Sequence, residues 1–119
     1  MSALTPDYRY ELDRVVRVID GDTFEVVVGR DVGFRCRPTW QIRVRLEGVD
    51  TPEIRGGTPA DQARAHQARE FAVAWLARGP VIVATNGRTT FERWLATITR
   101  GEESLADALV LAGLARRVG

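Results

Sequence analysis

The chain has 119 residues, of which 45% are hydrophobic, enough for one hydrophobic core and too few for two. The sequence contains no run of about eighteen apolar residues, the length that a membrane span needs. The first residues lack the basic start and apolar run of a signal peptide. We therefore expect a cytoplasmic protein, with secretion left open if a leader has been trimmed. The net charge of +1 is not the strong positive excess of a dedicated nucleic-acid binder.

The first half of the chain has the pattern of β-strands. Residues 15–19 and 23–28 are rich in β-branched side chains and flank Asp20-Gly21-Asp22, a turn signal. Residues 42–47 alternate strictly between apolar and charged side chains, which predicts a half-buried antiparallel strand. In this strand Arg45 faces away from the apolar side and is expected to contribute little to the core.

The second half mixes helices with strands. Thr58 and Pro59 predict a helix start, and Gly79-Pro80 predicts its end after Arg78. Residues 81–85 and 94–98 predict two further strands, and Ser104 is expected to cap a short helix from residue 105 to 112. The core face of the long helix is expected to carry Ala60, Ala63, Ala68, Phe71, Ala72 and Trp75.

About five short strands that cannot leave open edges favour a closed architecture. We predict an α+β, mainly β fold: a five-stranded Greek-key barrel of the oligonucleotide-binding (OB) type with about two flanking helices. Residues 1–12 are expected to form an N-terminal extension, and residues 13–119 the single domain.

Three short segments carry the charged side chains of interest. In residues 18–23 two carboxylates flank a glycine, residues 45–53 contain an arginine, an aspartate, a threonine and a glutamate, and residues 91–96 contain an arginine at the head of a strand. Singly, each could be a turn, a cap or a solvated charge. Together they supply oxygen ligands for a divalent cation, a carboxylate near water and guanidinium groups for a phosphoryl group gaining charge.

These motifs resemble those of the staphylococcal (thermonuclease-type) nucleases, and the resemblance extends from about Val15 to Arg116. It rests on residues 18–23, 45–53, 93–96 and 104–115, which occur in the family order. The resemblance implies a calcium-dependent endonuclease on an OB barrel, a phosphodiester hydrolase that acts on DNA or RNA. It also implies products with 3′-phosphate and 5′-hydroxyl ends.

The resemblance also assigns roles residue by residue. Ca²⁺ binding is implied for Asp22, Asp50 and the main-chain carbonyl of Thr51. Catalysis is implied for Glu53, which would activate or orient water, and for the phosphate-binding Arg45 and Arg93. Asp20 matches an acidic neighbour of the metal outside its direct ligands.

The sequence departs from the family pattern at three places. Phe91-Glu92 stands where the family often has Tyr-Gly, and the segment between Gly29 and Gln41 is longer and rich in arginine. The sequence ends at Gly119, before the family's C-terminal tail and its base-stacking tyrosines. Binding is therefore expected to be weak and to depend mainly on phosphate contacts.

Other conspicuous side chains receive weaker assignments. Candidate nucleic-acid contacts are Arg35, Arg37, Arg43 and Trp40. The alternative for the arginines is that they lie on a solvated face of a hairpin. The tryptophan is predicted to lie in a loop. His66 is expected on a solvated helix face. Core packing is expected for Cys36, Trp75 and Trp94.

The main alternative is a catalytically inert binding or interaction module on the same barrel. Such a module has no need for all six of the calcium-binding and catalytic residues, which favours the enzyme. DNA or RNA is the partner expected under either hypothesis. The sequence indicates no membrane partner and gives no evidence for an obligate protein partner.

Overall fold

The chain folds around a strongly curved sheet, seen in a computed structural model that describes residues 8–54, 57–87, 89–90 and 93–118. The strands are β1 (Tyr8–Asp20), β2 (Thr23–Gly29), β3 (Thr39–Leu46), β4 (Val49–Asp50), β5 (Ile82–Thr85), β6 (Thr89–Thr90), β7 (Arg93–Arg100), β8 (Glu103–Ser104) and β9 (Arg116–Arg117). The helices are α1 (Pro59–Leu76) and α2 (Leu105–Leu111).

The five longest of these strands close into a barrel. β1 pairs antiparallel with β2 and β5, β2 with β3, and β5 with β7. β3 and β7 then pair in parallel, with Val44 beside Trp94 and Leu46 beside Ala96. The OB-type barrel with two helices predicted from the sequence is confirmed, whereas the two-residue strands β4, β6, β8 and β9 were not predicted.

The core lies inside the barrel and beneath α1. Inward-facing residues alternate along β3, as its polar–apolar alternation predicted, and also along β2, and the buried set includes Phe24, Val26, Val28, Val44 and Leu46. The prediction for α1 was wrong in its first turns. Ala60 and Ala63 are exposed and Ala65 is buried. The buried positions of α1 begin only at Ala65 and recur every three or four residues to Trp75, which is followed by the buried Leu76.

Both helices begin as predicted. The Thr58 hydroxyl accepts a hydrogen bond from the Asp61 backbone N–H at 3.2 Å, and the Asp61 carboxylate accepts one from the Thr58 N–H at 3.1 Å, a reciprocal capping box. Ser104 caps α2 through the Asp107 N–H. The capping box fixes Thr58, the N-cap of α1, five residues after Glu53.

The expected extension over residues 1–12 is divided differently in the structure. Tyr8 to Glu11 pair with β5 and are therefore part of the barrel, while residues 1–7 lie outside the described residues. Residues 8–13 alternate between apolar and charged side chains, so the strand pattern begins earlier than the predicted strand at residue 15. Within the described residues, no helix is both long and apolar enough to cross a membrane.

The β2–β3 connection is a hairpin loop closed by its own backbone. The Val32 N–H donates to the Cys36 carbonyl at 3.1 Å, and the Cys36 N–H donates to the Gly33 carbonyl at 2.9 Å. The prediction that Cys36 packs in the core was wrong, because this tight closure leaves its side chain exposed. Trp40 was also misplaced, since it lies within β3 rather than in the loop.

Candidate active site

The first acidic motif lies in the tight turn between β1 and β2, beneath α1. A side chain at Gly21 would bring its Cβ within 2.8 Å of the Ala68 Cβ, so only glycine allows α1 to approach this closely. The turn directs Asp22 inward, and this residue is only 5% exposed. A buried carboxylate needs compensating donors, which the second motif supplies.

Arg45 provides most of that compensation from the end of β3. Its Nη1 lies 3.0 Å from Asp22 Oδ2 and its Nη2 lies 3.1 Å from Asp50 Oδ1. Nη1 also donates to the carbonyls of Leu46 and Val49, at 3.1 and 2.9 Å. The guanidinium therefore joins two carboxylates to the β3–β4 turn. As predicted, Arg45 faces away from the apolar side of β3, but its side chain is only 18% exposed and ties these groups together.

The remaining hydrogen bonds to Asp22 come from two threonines. Oδ2 accepts from the Thr51 N–H and Oδ1 accepts from the Thr23 hydroxyl, both at 3.0 Å. Thr51 is 4% exposed, and its own hydroxyl is buried without a hydrogen-bond partner among the described residues. An unsatisfied buried hydroxyl next to two carboxylates indicates a place for a further polar group.

Asp50 is held from a second side by a residue that the sequence did not indicate. β4 pairs with β9 so that Asp50 lies opposite Arg116, and Arg116 Nη2 is 3.4 Å from Asp50 Oδ2. Each oxygen of Asp50 thus has a guanidinium partner. The two residues are 66 positions apart, and only the return of the chain after α2 brings them together, so local patterning contains no signal for the contact.

Glu53 lies in an open groove beside the acidic turn. Asp20 Oδ1 accepts a hydrogen bond from the Ile54 N–H at 3.2 Å, which ties the segment carrying Glu53 to β1. The groove encloses about 490 Å³, and Arg17 and Arg69 also line it. Glu53 is exposed to solvent, so water reaches its carboxylate. The sequence did not indicate the two arginines, whose positions depend on how α1 packs against β1.

Arg93 begins β7, the strand next to β3. The register pairs Arg45 with Leu95, so Arg93 lies two positions before the partner of Arg45. Its side chain is half-buried. The structure therefore places the two arginines of the sequence motifs on adjacent strands. Phe91-Glu92, the first predicted departure from the family pattern, lies outside the described residues.

The oxygen atoms at this site suit a hard divalent cation such as Ca²⁺, which takes carboxylate, carbonyl and water ligands. Asp22 and Asp50 converge on one guanidinium, and Thr51, whose buried hydroxyl has no hydrogen-bond partner among the described residues, follows Asp50 directly in the chain. Among the described residues, no group of three or more His, Cys, Asp or Glu side chains could hold an ion. Two carboxylates fit such an ion only if carbonyl or water oxygens complete its ligands.

The candidate nucleic-acid contacts differ in their surroundings, because Arg37 is ion-paired within the fold and the others are exposed. Arg37 Nη2 lies 2.7 Å from Asp13 and 3.1 Å from Glu11, so it anchors the hairpin loop to β1. The hydrogen bonds from Arg37 lower the pKa of the Asp13 carboxyl below its ordinary value. Arg35 and Arg43, by contrast, are exposed.

The tryptophans and the histidine divide between core and surface. Trp75 is 3% exposed and His66 is exposed, both as predicted. The prediction for Trp94 was too simple, because its ring is only half-buried. It packs at 5.4 Å from the ring of Tyr10, which in turn contacts Trp40 at 5.4 Å.

Comparison with known proteins places this arrangement in a family. The chain is 33% identical over 106 residues to a thermonuclease of Staphylococcus hyicus, covering 87% of this chain and 57% of the relative. It is also 33% identical over 84 residues to the protein ParB of Escherichia coli, covering 71% of this chain and 39% of that relative. The chain thus spans between two fifths and three fifths of the length of these relatives.

The family comparison covers two of the three charged sequence motifs described above. Residues 43–119 match the family described as staphylococcal nuclease homologue. The matched range contains Arg45, Asp50, Thr51, Glu53 and Arg93, whereas Asp22 lies before it. With a closed five-stranded barrel and two helices around that range, the chain belongs to the staphylococcal nuclease homologue family.

Proposed function

We propose that this protein is a calcium-dependent endonuclease that hydrolyses phosphodiester bonds of DNA, RNA or both. One observation carries the proposal: Arg45 gathers the buried Asp22 and the partly exposed Asp50 into a single cluster beside Thr51. Burying the Asp22 carboxylate has a large desolvation cost, which a purely structural barrel avoids with an apolar residue. The thermonuclease relative supports the same activity.

In the proposed site, Ca²⁺ would be held by Asp22, Asp50 and the main-chain carbonyl of Thr51. The bound ion would supply positive charge to a phosphate that gains negative charge during hydrolysis. Asp20 would lie outside the direct ligands, because its carboxylate accepts from the Ile54 N–H and so positions the segment that follows Thr51. The role of the Asp20 carboxylate would therefore be to orient that segment rather than to bind the ion.

The chain's own side chains would carry the other roles. Glu53, exposed in the groove, would accept a proton from the attacking water. Arg45 and Arg93, on adjacent strands, would bind phosphate oxygens with their planar guanidinium groups. Since a guanidinium is a poor proton donor, neither arginine is assigned as a general acid. By analogy with the family, the products would carry 3′-phosphate and 5′-hydroxyl ends.

The test is cleavage of single-stranded DNA, duplex DNA and RNA with Ca²⁺ and with excess chelator. We expect cleavage only with Ca²⁺, and analysis of the product ends identifies which P–O bond breaks. Asp22→Asn should lose most of the activity. Asp107→Asn is the matched control, because Asp107 is an exposed aspartate whose ion pair with Arg117 lies outside the cluster.

Calcium binding is measured separately from activity by thermal unfolding. An ion that binds only the folded state raises the melting temperature, by an amount that grows with the ratio of its concentration to its dissociation constant. We expect Ca²⁺ to raise the melting temperature of the wild type and of Asp107→Asn, and not that of Asp22→Asn. Full activity in chelator would refute the metal assignment. Binding of nucleic acid without cleavage in Ca²⁺ would favour the inert binding module.

A further inference from the structure

An aromatic pocket opens beside the start of β7, on residues that the proposed catalytic chemistry does not use. It encloses about 300 Å³ and is lined by Tyr8, Tyr10, Thr85, Gly87, Thr89 and Trp94. The Tyr10 ring connects two tryptophans, with Trp94 tilted by 53° on one side and Trp40 edge-on at 81° on the other. We call this set, Tyr8, Tyr10, Trp40 and Trp94, the aromatic cluster.

The aromatic cluster remains accessible to solvent because of its place in the barrel. Trp94 shares the inward face of β7 with the buried Ala96 and Ile98, yet it is only half-buried. Tyr8 and Trp40 are each 38% exposed. Aromatic rings that stay partly in water keep ring surface available for a ligand, and the contacts of Tyr10 with Trp40 and Trp94 hold three of the rings together.

We propose that this pocket stacks an unpaired base of the nucleic-acid strand whose phosphate is bound at the active site. The inference rests on the proposed function, because it assumes a nucleic-acid substrate. It assigns base binding to the aromatic cluster, and in particular to Tyr8, Tyr10 and Trp94, which the sequence did not indicate as contacts. Stacking on rings accepts any base, because every base has a π-face.

Charge and polarity favour a nucleotide as the occupant. None of the described lining residues carries a carboxylate. The Arg30 guanidinium lies 5.9 Å from the centre of the Tyr10 ring, so positive charge borders the pocket. Two tyrosine hydroxyls and two threonines add polar groups to the rim, as expected for a ligand with both a flat apolar face and hydrogen-bonding edges.

The pocket and the proposed phosphate site meet at the start of β7. Trp94 follows Arg93 directly in the chain, so their Cα atoms are about 3.8 Å apart, and the two side chains point to opposite faces of the strand. The far rim is held by Thr85, whose hydroxyl donates to the Leu95 carbonyl at 2.6 Å and accepts from the Gly87 N–H at 3.2 Å. A rim fixed before binding lowers the entropy lost when a base enters.

The experiment compares two single strands of equal length and charge, one of thymidylate and one of abasic nucleotides. Affinities are measured by fluorescence anisotropy at fixed salt in excess chelator, so that nothing is cleaved. We expect the wild type to prefer the base-bearing strand by about tenfold or more. Tyr8→Leu and Trp94→Leu should each remove most of this preference, and Trp94→Phe should restore it because an aromatic ring returns.

Two features keep the test decisive. Tyr8→Leu changes an exposed residue at the start of β1, so it should fold even if Trp94→Leu does not. Phe34→Leu is the matched control, because Phe34 is a fully exposed aromatic residue that does not line the pocket, and its preference should equal that of the wild type.

The outcomes separate the two proposals. A base preference that Tyr8→Leu abolishes supports the pocket even if no strand is ever cleaved, which would contradict only the nuclease. Equal affinity of the wild type for both strands, including no binding to either, overturns the pocket whatever the cleavage assay shows. A preference that survives Tyr8→Leu and falls in Phe34→Leu also overturns it and moves base binding to the hairpin loop.

Discussion

Arg45 shows how one side chain can serve both the fold and the site. Its guanidinium contacts the carboxylates of Asp22 and Asp50 and two carbonyls of the β3–β4 turn, at distances between 2.9 and 3.1 Å. A planar guanidinium with five N–H donors can donate to all of these acceptors at once, whereas the compact ammonium of a lysine cannot. In the proposed function, a phosphate at this position would therefore meet a guanidinium that is already oriented.

We predict that Arg45→Lys lowers the rate constant of cleavage by about 10²–10³, the usual loss for one transition-state donor. It should also destabilise the fold, because two buried carbonyls and the Asp22 carboxylate lose their partner. Rates are measured well below the melting temperature. The control is Arg37→Lys, which breaks a guanidinium–carboxylate pair outside the site and should lose stability without loss of rate.

Glu53 permits a test of catalysis without that structural cost. Because its side chain is exposed, Glu53→Gln should leave the melting temperature unchanged. Loss of a general base should lower the single-turnover rate by about 10²–10⁴. Glu47→Gln, which changes a nearby exposed glutamate, should keep the wild-type rate. Equal rates for the two variants would remove Glu53 from the mechanism.

At the residue scale, the sequence predicted the members of the acidic cluster and missed their partners. Asp22, Arg45 and Asp50 belong to local motifs, so spacing along the chain was sufficient to find them. Arg116 reaches Asp50 from the other end of the chain, and Trp94 loses part of its burial only because the barrel opens beside it. Such contacts depend on tertiary packing, which no short window of sequence records.

At the scale of elements, the hairpin loop is fastened to β1 by an ion pair that depends on pH. Hydrogen bonds from Arg37 hold the pKa of Asp13 below its ordinary value. The folded state therefore binds fewer protons than the unfolded state near that value. The stabilisation is fully present above the unfolded pKa of about 4 and is lost as pH falls through the folded pKa.

We predict that Asp13→Asn removes this part of the acid dependence. The wild type should be more stable than the variant at pH near 6, and the difference should vanish as the pH approaches about 2. Urea unfolding midpoints measured across this range provide the comparison. A difference that stays constant with pH would mean that the Asp13 carboxylate is not titrating against Arg37.

Element prediction succeeded where one strong pattern was present. The alternation in β3 and the capping signals at Thr58 and Ser104 each predicted an element that the structure confirms. The prediction began β1 at residue 15 although residues 8–13 already alternate between apolar and charged side chains, and β4 and β9 were missed because two residues define no period. Those short strands nevertheless bring Arg116 to Asp50.

At the scale of the whole molecule, net charge and local charge give different expectations. A net charge of +1 provides little long-range attraction for a polyanion. The affinity proposed for nucleic acid must then come from a few local contacts. These are guanidinium groups that release counterions from phosphates, and aromatic rings whose stacking on bases releases none. These two contributions differ in their response to salt, so a salt titration can separate them.

We predict that the affinity for a single strand falls with salt through its phosphate contacts alone. With about two to four phosphates neutralised on a single strand, the plot of log K against log salt concentration should have a slope of roughly −1.4 to −2.8. Tyr8→Leu should lower the affinity at every salt concentration without changing the slope, because stacking displaces no counterions. Arg93→Gln should make the slope less negative by about 0.7, the contribution of one phosphate contact on a single strand. Anisotropy titrations at several salt concentrations measure both quantities. An affinity indifferent to salt would show that the arginines do not contact phosphates, and a slope altered by Tyr8→Leu would show that the aromatic cluster acts on the backbone of the strand rather than on its bases.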